Sequence, residues 1–204
     1  MQPRPVSATV LGIAQDGGRP QAGCVRQCCV DIHSDLSLHR SPVSLGLVGS
    51  DHSTHLFEAT RKLASQFATW FDNDPEDGPL DTLWITHAHL GHVDGLGLFG
   101  REVMGASGLN LHCSNSFLQL MQATPAWNNL IQQGVFIPQV FSDKPIEPTI
   151  QSGFTITPIR VPHRDELSDT HAFLISGPSK RLLFLPDHDS WQETLALYGC
   201  ESIG

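Results

Sequence analysis

Three histidines lie within six residues at the end of an apolar segment, in the sequence Leu83-Trp84-Ile85-Thr86-His87-Ala88-His89-Leu90-Gly91-His92. The first four residues predict a buried strand, and the chain leaves that strand into the turn that carries the histidines. Histidines at i and i+2, separated by a small residue, can direct both rings at one centre. Neutral imidazole is the side chain that most often binds a transition metal. A polar loop that happens to be rich in histidine is the alternative, and the spacing favours a metal site.

The same turn carries a family resemblance. It resembles the His-x-His-x-Asp-His signature of the metallo-β-lactamase fold, with Gly91 where that signature has aspartate. Two downstream residues match further positions of the family. His163, after Pro162, is similar to the third zinc-ligand histidine, and Asp187, after Pro186, is similar to the aspartate that bridges two metals.

Within that superfamily, the chain resembles the coenzyme PQQ synthesis protein B group. The likeness rests on Val-Leu-Gly-Ile-Ala-Gln-Asp-Gly-Gly at 10–18, on the cysteines that follow it, on Gly-Arg-Glu-Val-Met-Gly at 100–105 and on Pro-Asp-x-Asp-x-Trp ending at Trp191. It covers nearly the whole chain, and several spaced motifs together are more specific than any one of them.

Composition limits the class of protein. The 204 residues suffice for one domain with a sizeable core, and 40% apolar with 16% charged residues is typical of globular proteins. A net charge of −9 disfavours nucleic acid and anionic membranes as partners. No apolar run has the length of a membrane span, and the N-terminus lacks a leader pattern, so we expect a cytoplasmic protein. Five cysteines, three of them clustered, fit a reducing compartment.

Strand patterns alternate with helical ones, which predicts two stacked β-sheets with helices outside, an α/β layering. The resemblance implies a single αββα sandwich domain over 1–204, with the metal at one edge of the sheets. We expect helices over 61–71, over 95–104, over 116–133 with an interruption near Pro125, and from Ser190 onward. The acidic segment 72–79 is expected to be a solvated loop. The Asp16-Gly17-Gly18 segment is either a tight turn or part of the mouth of the site.

The resemblance implies that His87, His89 and His163 bind one metal, with Asp187 as an oxygen ligand. Three protein ligands and an open, water-bearing position are the arrangement of catalytic zinc. Such zinc lowers the pKa of bound water to about 7 and polarises a carbonyl or phosphoryl group. The expected function is therefore a zinc hydrolase with a small-molecule substrate, in which Asp187 and His92 are the candidate catalytic residues.

A second metal is not expected, because Gly91 supplies no ligand. His92 and Asp187 alone are too few for a tight site, so His92 is interpreted as a supporting group, a proton relay or a weak ligand. Replacement of Gly91 by aspartate is expected to raise affinity for a second metal. Asp94 is expected to cap the helix that starts near Gly95, and the alternative is that it reaches back into the site. Asp189 is expected to cap the helix from Ser190.

The cysteines at 24, 28 and 29 form the other candidate site. Thiolates at this spacing can share one structural zinc, which normally has four ligands. His33, Cys113 or Cys200 could supply the fourth ligand, and packed free cysteines are the alternative.

Two other functions stay open at this point. A site of histidines and a carboxylate could hold Fe(II) and activate oxygen, which resembles the oxidative step proposed for the family in pyrroloquinoline quinone biosynthesis. The chain could also be a shortened, non-catalytic remnant or a binding protein, because it stops before the last strands of the family's fold. Strands 171–176 and 181–185 would then leave an open edge that promotes a homodimer.

Overall fold

The protein, described here by a computed structural model over residues 4–73 and 80–198, contains two β-sheets that face each other. The strands of the first sheet follow chain order: β1 (Ser7–Gly12), β2 (Ser44–Val48), β3 (Thr54–Phe57), β4 (Thr82–Trp84), β5 (Leu109–Cys113) and β6 (Phe136–Val140). The first three strands are antiparallel, and β3 to β6 run parallel. The second sheet is an antiparallel set of β7 (Thr155–Arg160), β8 (His171–Ser176) and β9 (Arg181–Phe184).

Helices connect these strands. They are α1 (Gln27–Val30), α2 (Leu63–Asn73), α3 (Leu90–Val93), α4 (Asn115–Ala123), α5 (Pro125–Gln132) and α6 (Trp191–Tyr198), with short 3₁₀ turns at Leu36–Leu38 and Leu96–Phe99. Pro125 occupies the first position of α5, where its missing N–H costs no hydrogen bond. It therefore starts a new helix instead of kinking an existing one.

Aromatic side chains fill the space between the two sheets. Phe57 of β3 is fully buried, and its ring lies 6.0 Å from Trp84, 5.6 Å from Phe173 and 5.4 Å from Phe184. Two of these partners belong to the second sheet, so the contacts join the sheets directly. Burial of aromatic rings of this size dominates the stability of such an interface.

The outer face of the first sheet packs against helices. Trp70 of α2, Phe117 of α4 and Leu130 of α5 lie in one buried cluster with residues of the central strands. Gly46 of β2 makes room for α2, since a Cβ at this position would lie 2.6 Å from the indole ring of Trp70. A larger residue would push the helix off the sheet.

The two-sheet, α/β layering predicted from the sequence is confirmed, and so is the break near Pro125. The predicted helix over 95–104 is wrong: only the 3₁₀ turn Leu96–Phe99 forms there. Glycines at 95, 97 and 100 disfavour an α-helix, and the N–H groups of Leu98, Gly100 and Val103 donate to carbonyls three residues back instead of four. Most of the loop expected at 72–79 lies outside the described residues.

Of the two strands that were expected to leave an open edge, one does so in the part of the chain that the structure describes. Strand β9 pairs only with β8 and is an edge, whereas β8 is hydrogen-bonded on both sides. Among the described residues, no helix combines the length and the apolar character that crossing a bilayer requires.

Candidate metal centre

The histidine turn is fixed in place by backbone hydrogen bonds from both sheets. After β4, the Ile85 N–H donates to the carbonyl of His112, and the Thr86 carbonyl accepts from the His171 N–H at 3.1 Å. The Ala88 N–H donates to the hydroxyl of Ser168 at 2.9 Å. Because these partners belong to separate strands and loops, the turn has little freedom to move.

The three histidines that were predicted to bind one metal, His87, His89 and His163, lie close together. His87 and His89 are buried, and their ring centroids are 4.6 Å apart. His163, in the loop between β7 and β8, lies 5.3 Å from His87 and 5.0 Å from His89. One ligand atom from each ring and one oxygen of Asp187 all lie within 4.8 Å of one another.

Each of these rings has one nitrogen held by an oxygen outside the cluster. His87 Nδ1 lies 2.9 Å from Thr86 Oγ1, and His163 Nδ1 lies 2.8 Å from Asp189 Oδ1. His89 Nε2 lies 3.1 Å from the carboxylate of Glu166. Oxygen partners of this kind fix the tautomer and the orientation of metal-binding histidines.

The other nitrogen of each ring is buried and has no hydrogen-bond partner. These atoms are His87 Nε2, His89 Nδ1 and His163 Nε2. A buried acceptor without a partner costs roughly 1–3 kcal/mol. Three such nitrogens beside a carboxylate fit a divalent transition metal, which would satisfy all of them at once.

A hydrogen-bond chain sets the tautomer of His87. The hydroxyl of Thr86 donates to Glu58 Oε1 at 2.6 Å, so its oxygen is left to accept from the Nδ1–H of His87. The Nε2 lone pair then faces the cluster. Burial lowers the pKa of His87, which keeps the ring neutral and able to bind a metal.

Asp187 is the carboxylate at the centre of the cluster. Its Oδ2 lies 3.5 Å from His87 Nε2, 3.5 Å from His163 Nε2 and 3.2 Å from His92 Nε2. Contacts with the imidazoles of His87 and His92 hold the pKa of Asp187 well below its usual range. The group is therefore an ionised acceptor at neutral pH.

Glu58 is a site residue that the sequence did not reveal. It follows β3, is fully buried, and adopts a left-handed backbone conformation with φ of 70°. Its Oε1 also lies 3.6 Å from His92 Nδ1. Burial disfavours the charged imidazole of His92, but the carboxylates of Glu58 and Asp187 outweigh it and raise its pKa to about 10. The pocket therefore favours positive charge.

Asp16 joins the same region from the loop after β1. Its Oδ1 lies 3.6 Å from His92 Nε2, and it forms a second close group with His92 and Asp187. A Cβ placed on Gly91 would lie 2.3 Å from both Cβ and Cγ of Asp16. The expectation that Gly91→Asp simply adds a ligand is therefore wrong on steric grounds, because Asp16 already occupies that space.

A model of the β-lactamase superfamily domain matches residues 54–202 of the chain. The chain belongs to the β-lactamase superfamily. The match covers β3 to α6 and therefore includes every residue of the histidine cluster. The metallo-β-lactamase fold that the sequence resemblance implied is confirmed.

Solved structures show the same fold at low sequence identity. Zn²⁺-bound PqqB from Methylobacterium extorquens has a TM-score of 0.76 with 19% identity, over 94% of this chain and 69% of PqqB. A diphosphatase of the PhnP family has a TM-score of 0.61 with 20% identity, over 85% of this chain and 67% of the diphosphatase. YhfI from Bacillus subtilis has a TM-score of 0.58 with 19% identity, over 88% of this chain and 62% of YhfI. A comparison with curated proteins finds no match.

This superfamily member has a second candidate metal group in the loop that contains α1. The sulfur atoms of Cys24, Cys28 and Cys29 lie within 4.8 Å of one another. Of the fourth ligands considered, His33 does not join the group, and Cys113 lies in β5, in the core under the helices. Burial raises the pKa of the Cys113 thiol to about 12, so this thiol is protonated at neutral pH. Cys200 lies outside the described residues.

Two expected helix caps have other roles. Asp94 ends the short helix α3, and the residue at the start of the following 3₁₀ turn is Gly95, with no side-chain cap. The Asp94 carboxylate pairs with Arg61 at 2.6 Å. Ser190 caps the last helix by accepting from the Glu193 N–H, which leaves Asp189 to hold His163. The carboxylate that resembled a cap is therefore part of the site.

A cavity of about 440 Å³ opens beside the cluster, between β1, β2 and β9. Its wall is mostly apolar, with Val10, Ile13 and Leu183 among the lining residues. Asp16 and Asp187 also line it. The cavity therefore places an apolar wall next to the carboxylates of Asp16 and Asp187.

Proposed function

We propose that this protein is a zinc-dependent hydrolase of a small molecule. The observation that carries the proposal is the set of three inward imidazole nitrogens without partners, gathered with Asp187 within 4.8 Å. The outward nitrogens are already engaged by Thr86, Glu166 and Asp189. Rings that are oriented but unpartnered on one side are preorganised for a ligand on that side.

When bound, zinc supplies Lewis acidity and lowers the pKa of water to about 7. The chain would hold it through His87, His89, His163 and Asp187. The ionised Asp187 accepts hydrogen bonds, and His92 Nε2, 3.2 Å from Asp187 Oδ2, can hold a proton against that carboxylate. His92 is fully buried, so this proton is shielded from bulk water.

The substrate class follows from the cavity and from one neighbour. The apolar wall of the cavity suits a substrate with a hydrocarbon portion placed next to the reacting bond. The PhnP-family diphosphatase has the same fold, which supports testing a phosphoryl substrate beside a carboxylic ester. Both classes present an oxygen that a Lewis acid can polarise.

The test measures zinc content and hydrolysis together. Wild-type protein, the double variant His87→Ala/His89→Ala and the control Asp143→Asn are compared on nitrophenyl butyrate and bis-nitrophenyl phosphate. Asp143 is an exposed carboxylate that joins none of the metal groups of the described residues. We expect at least one zinc equivalent and the activity to be lost, and only in the double variant. Equal zinc content in all three proteins would refute the centre.

A second candidate is an Fe(II)-dependent oxidation in pyrroloquinoline quinone biosynthesis. The similarity to PqqB over 94% of the chain supports it, as does a donor set of histidines and one carboxylate, which also suits iron. Metal analysis of protein purified without added metal, followed by dioxygen uptake after anaerobic loading with Fe(II), distinguishes the two. Uptake that requires His87 and His89 favours the oxidative function. Ester hydrolysis with zinc and no dioxygen uptake with iron favours the hydrolase.

A further inference from the structure

A side chain at position 91 would overlap in space with the side chain of Asp16. A Cβ on Gly91 would lie 2.3 Å from Cβ and Cγ of Asp16 and 2.7 Å from its Cα. Carbon atoms that are not bonded to each other do not approach this closely, so only one of the two positions can carry a side chain. In this chain the carboxylate comes from the loop after β1 and not from the histidine turn.

The Asp16 carboxylate reaches the same neighbours that a ligand from the turn would need. Asp16 Oδ1 lies 3.6 Å from His92 Nε2, and Asp187 Oδ2 lies 3.2 Å from that nitrogen. Ligand atoms of all three residues lie within 4.8 Å of one another. Asp187 also belongs to the histidine cluster, so the two groups share one carboxylate.

We propose that Asp16, His92 and Asp187 form a second divalent-metal position beside the histidine cluster, with Asp16 replacing the carboxylate that Gly91 cannot supply. This inference rests on the proposed metal centre, and it replaces the single-metal expectation drawn from the sequence. Two oxygens and one nitrogen accept first-row divalent metals such as zinc, and a metal bound there takes the place of the proton that His92 Nε2 otherwise holds against Asp187.

Charge and preorganisation support this position. Two carboxylates this close repel each other, and a cation between them removes the repulsion. On the far side of His92, Nδ1 lies 3.6 Å from the buried Glu58, which directs Nε2 toward Asp16 and Asp187. The Asp16 loop is closed by a hydrogen bond of 2.7 Å from the Gly18 N–H to the Gln15 carbonyl.

Exposure distinguishes the second position from the first. The Asp16 side chain, which belongs only to the second position, is 50% exposed. The side chains of His87, His89 and His163, which belong only to the first position, are 1%, 9% and 11% exposed. Three protein ligands at an open edge leave several coordination sites for water or substrate. The second metal is therefore expected to bind more weakly than the first and to exchange faster.

The test counts zinc by equilibrium dialysis against a fixed free zinc concentration, followed by elemental analysis. We expect Asp16→Asn to bind one zinc fewer per chain than wild type, because an amide oxygen is a weak substitute for a carboxylate. Asp143→Asn is the matched control and should bind as wild type does. The cysteine group contributes equally to all of these proteins and cancels in the difference.

A second variant removes the carboxylate without introducing an amide. Asp16→Gly should lose the same zinc, and Asp16→Gly/Gly91→Asp should not regain it, because the new Cβ at position 91 would still lie 2.7 Å from the Cα of residue 16. Gly91→Asp alone should not gain a metal.

Zinc binding by the two variants distinguishes a failure of the second metal position from a failure of the proposed hydrolase centre. If Asp16→Asn binds as much zinc as wild type while His87→Ala/His89→Ala binds less, the second position is refuted and the proposed hydrolase centre stands. If neither variant loses zinc, both proposals fail.

Discussion

Glu58 provides a sharp test of how the centre is organised. This carboxylate touches no candidate ligand of the histidine cluster directly, yet it fixes the direction of the Thr86 hydroxyl and thereby the tautomer of His87. In Glu58→Gln, an amide can turn its NH₂ toward Thr86 and reverse the chain of donors. The hydroxyl would then donate to His87 Nδ1 and favour a proton on Nε2, where the metal should bind.

The size of the effect follows from these contacts. The bond from Thr86 to Glu58 is short, charge-assisted and fully buried, a class worth about 1.5–3 kcal/mol. Loss of an outer partner of a metal-binding histidine typically weakens metal binding about 10- to 100-fold, or roughly 1.4–2.7 kcal/mol. We therefore expect zinc affinity to fall by that factor in Glu58→Gln.

The assay is competition for zinc with a chromophoric chelator, and Glu166→Gln is the matched control. Glu166 also holds one of the histidines, His89, but its side chain is 52% exposed. Exposed pairs of this kind contribute about 0–1 kcal/mol, so Glu166→Gln should lose less than about fivefold. Circular dichroism on both chelated proteins checks that they are folded. If Glu58→Gln and Glu166→Gln lose zinc affinity equally, or if Glu58→Gln keeps wild-type affinity, then the buried Glu58 does not control metal binding through the tautomer of His87.

Two further predictions concern packing and the cysteine group. Gly46→Ala should lower the free energy of unfolding by about 1–3 kcal/mol, because the new Cβ would lie 2.6 Å from the ring of Trp70. Gly97→Ala, where nothing lies within 4 Å of the new atom, should stay within about 1 kcal/mol of wild type in the same urea titration. Cys28→Ser should lose one zinc equivalent and the thiolate absorption of the cobalt-substituted protein, and unchanged spectra would refute a metal on the cysteines.

The local features of the fold were predictable because each has a signal in neighbouring residues. The apolar segment before His87 indicated β4, and Pro125 marked the boundary between α4 and α5. The helix predicted over 95–104 failed because the prediction gave too little weight to the glycines at 95, 97 and 100, which disfavour a helix. The close approach of Gly95 to the backbone of Thr60 is a tertiary contact that a sequence does not show.

The same distinction applies to the site. His87 and His89 are close in sequence, so their spacing indicated a shared centre, and the resemblance supplied His163 and Asp187. Glu58 gave no such signal beyond a carboxylate directly after an apolar strand, and its role depends on burial and a left-handed backbone. Asp189 was interpreted as a helix cap, although Ser190 and Glu193 have the capping-box spacing that indicates Ser190 as the cap. Nothing local indicates that Asp189 holds His163.

The order in which the candidate ligands occur along the chain has a consequence for biosynthesis. His87 and His89 follow β4 of the first sheet, whereas His163 and Asp187 flank strands of the second. A nascent chain on the ribosome therefore carries only half of the donor set until β7 has emerged, and the set is complete only after β9. Premature capture of a cellular metal by the half-made protein is disfavoured, and an occupied centre would mark a chain whose two sheets have already docked.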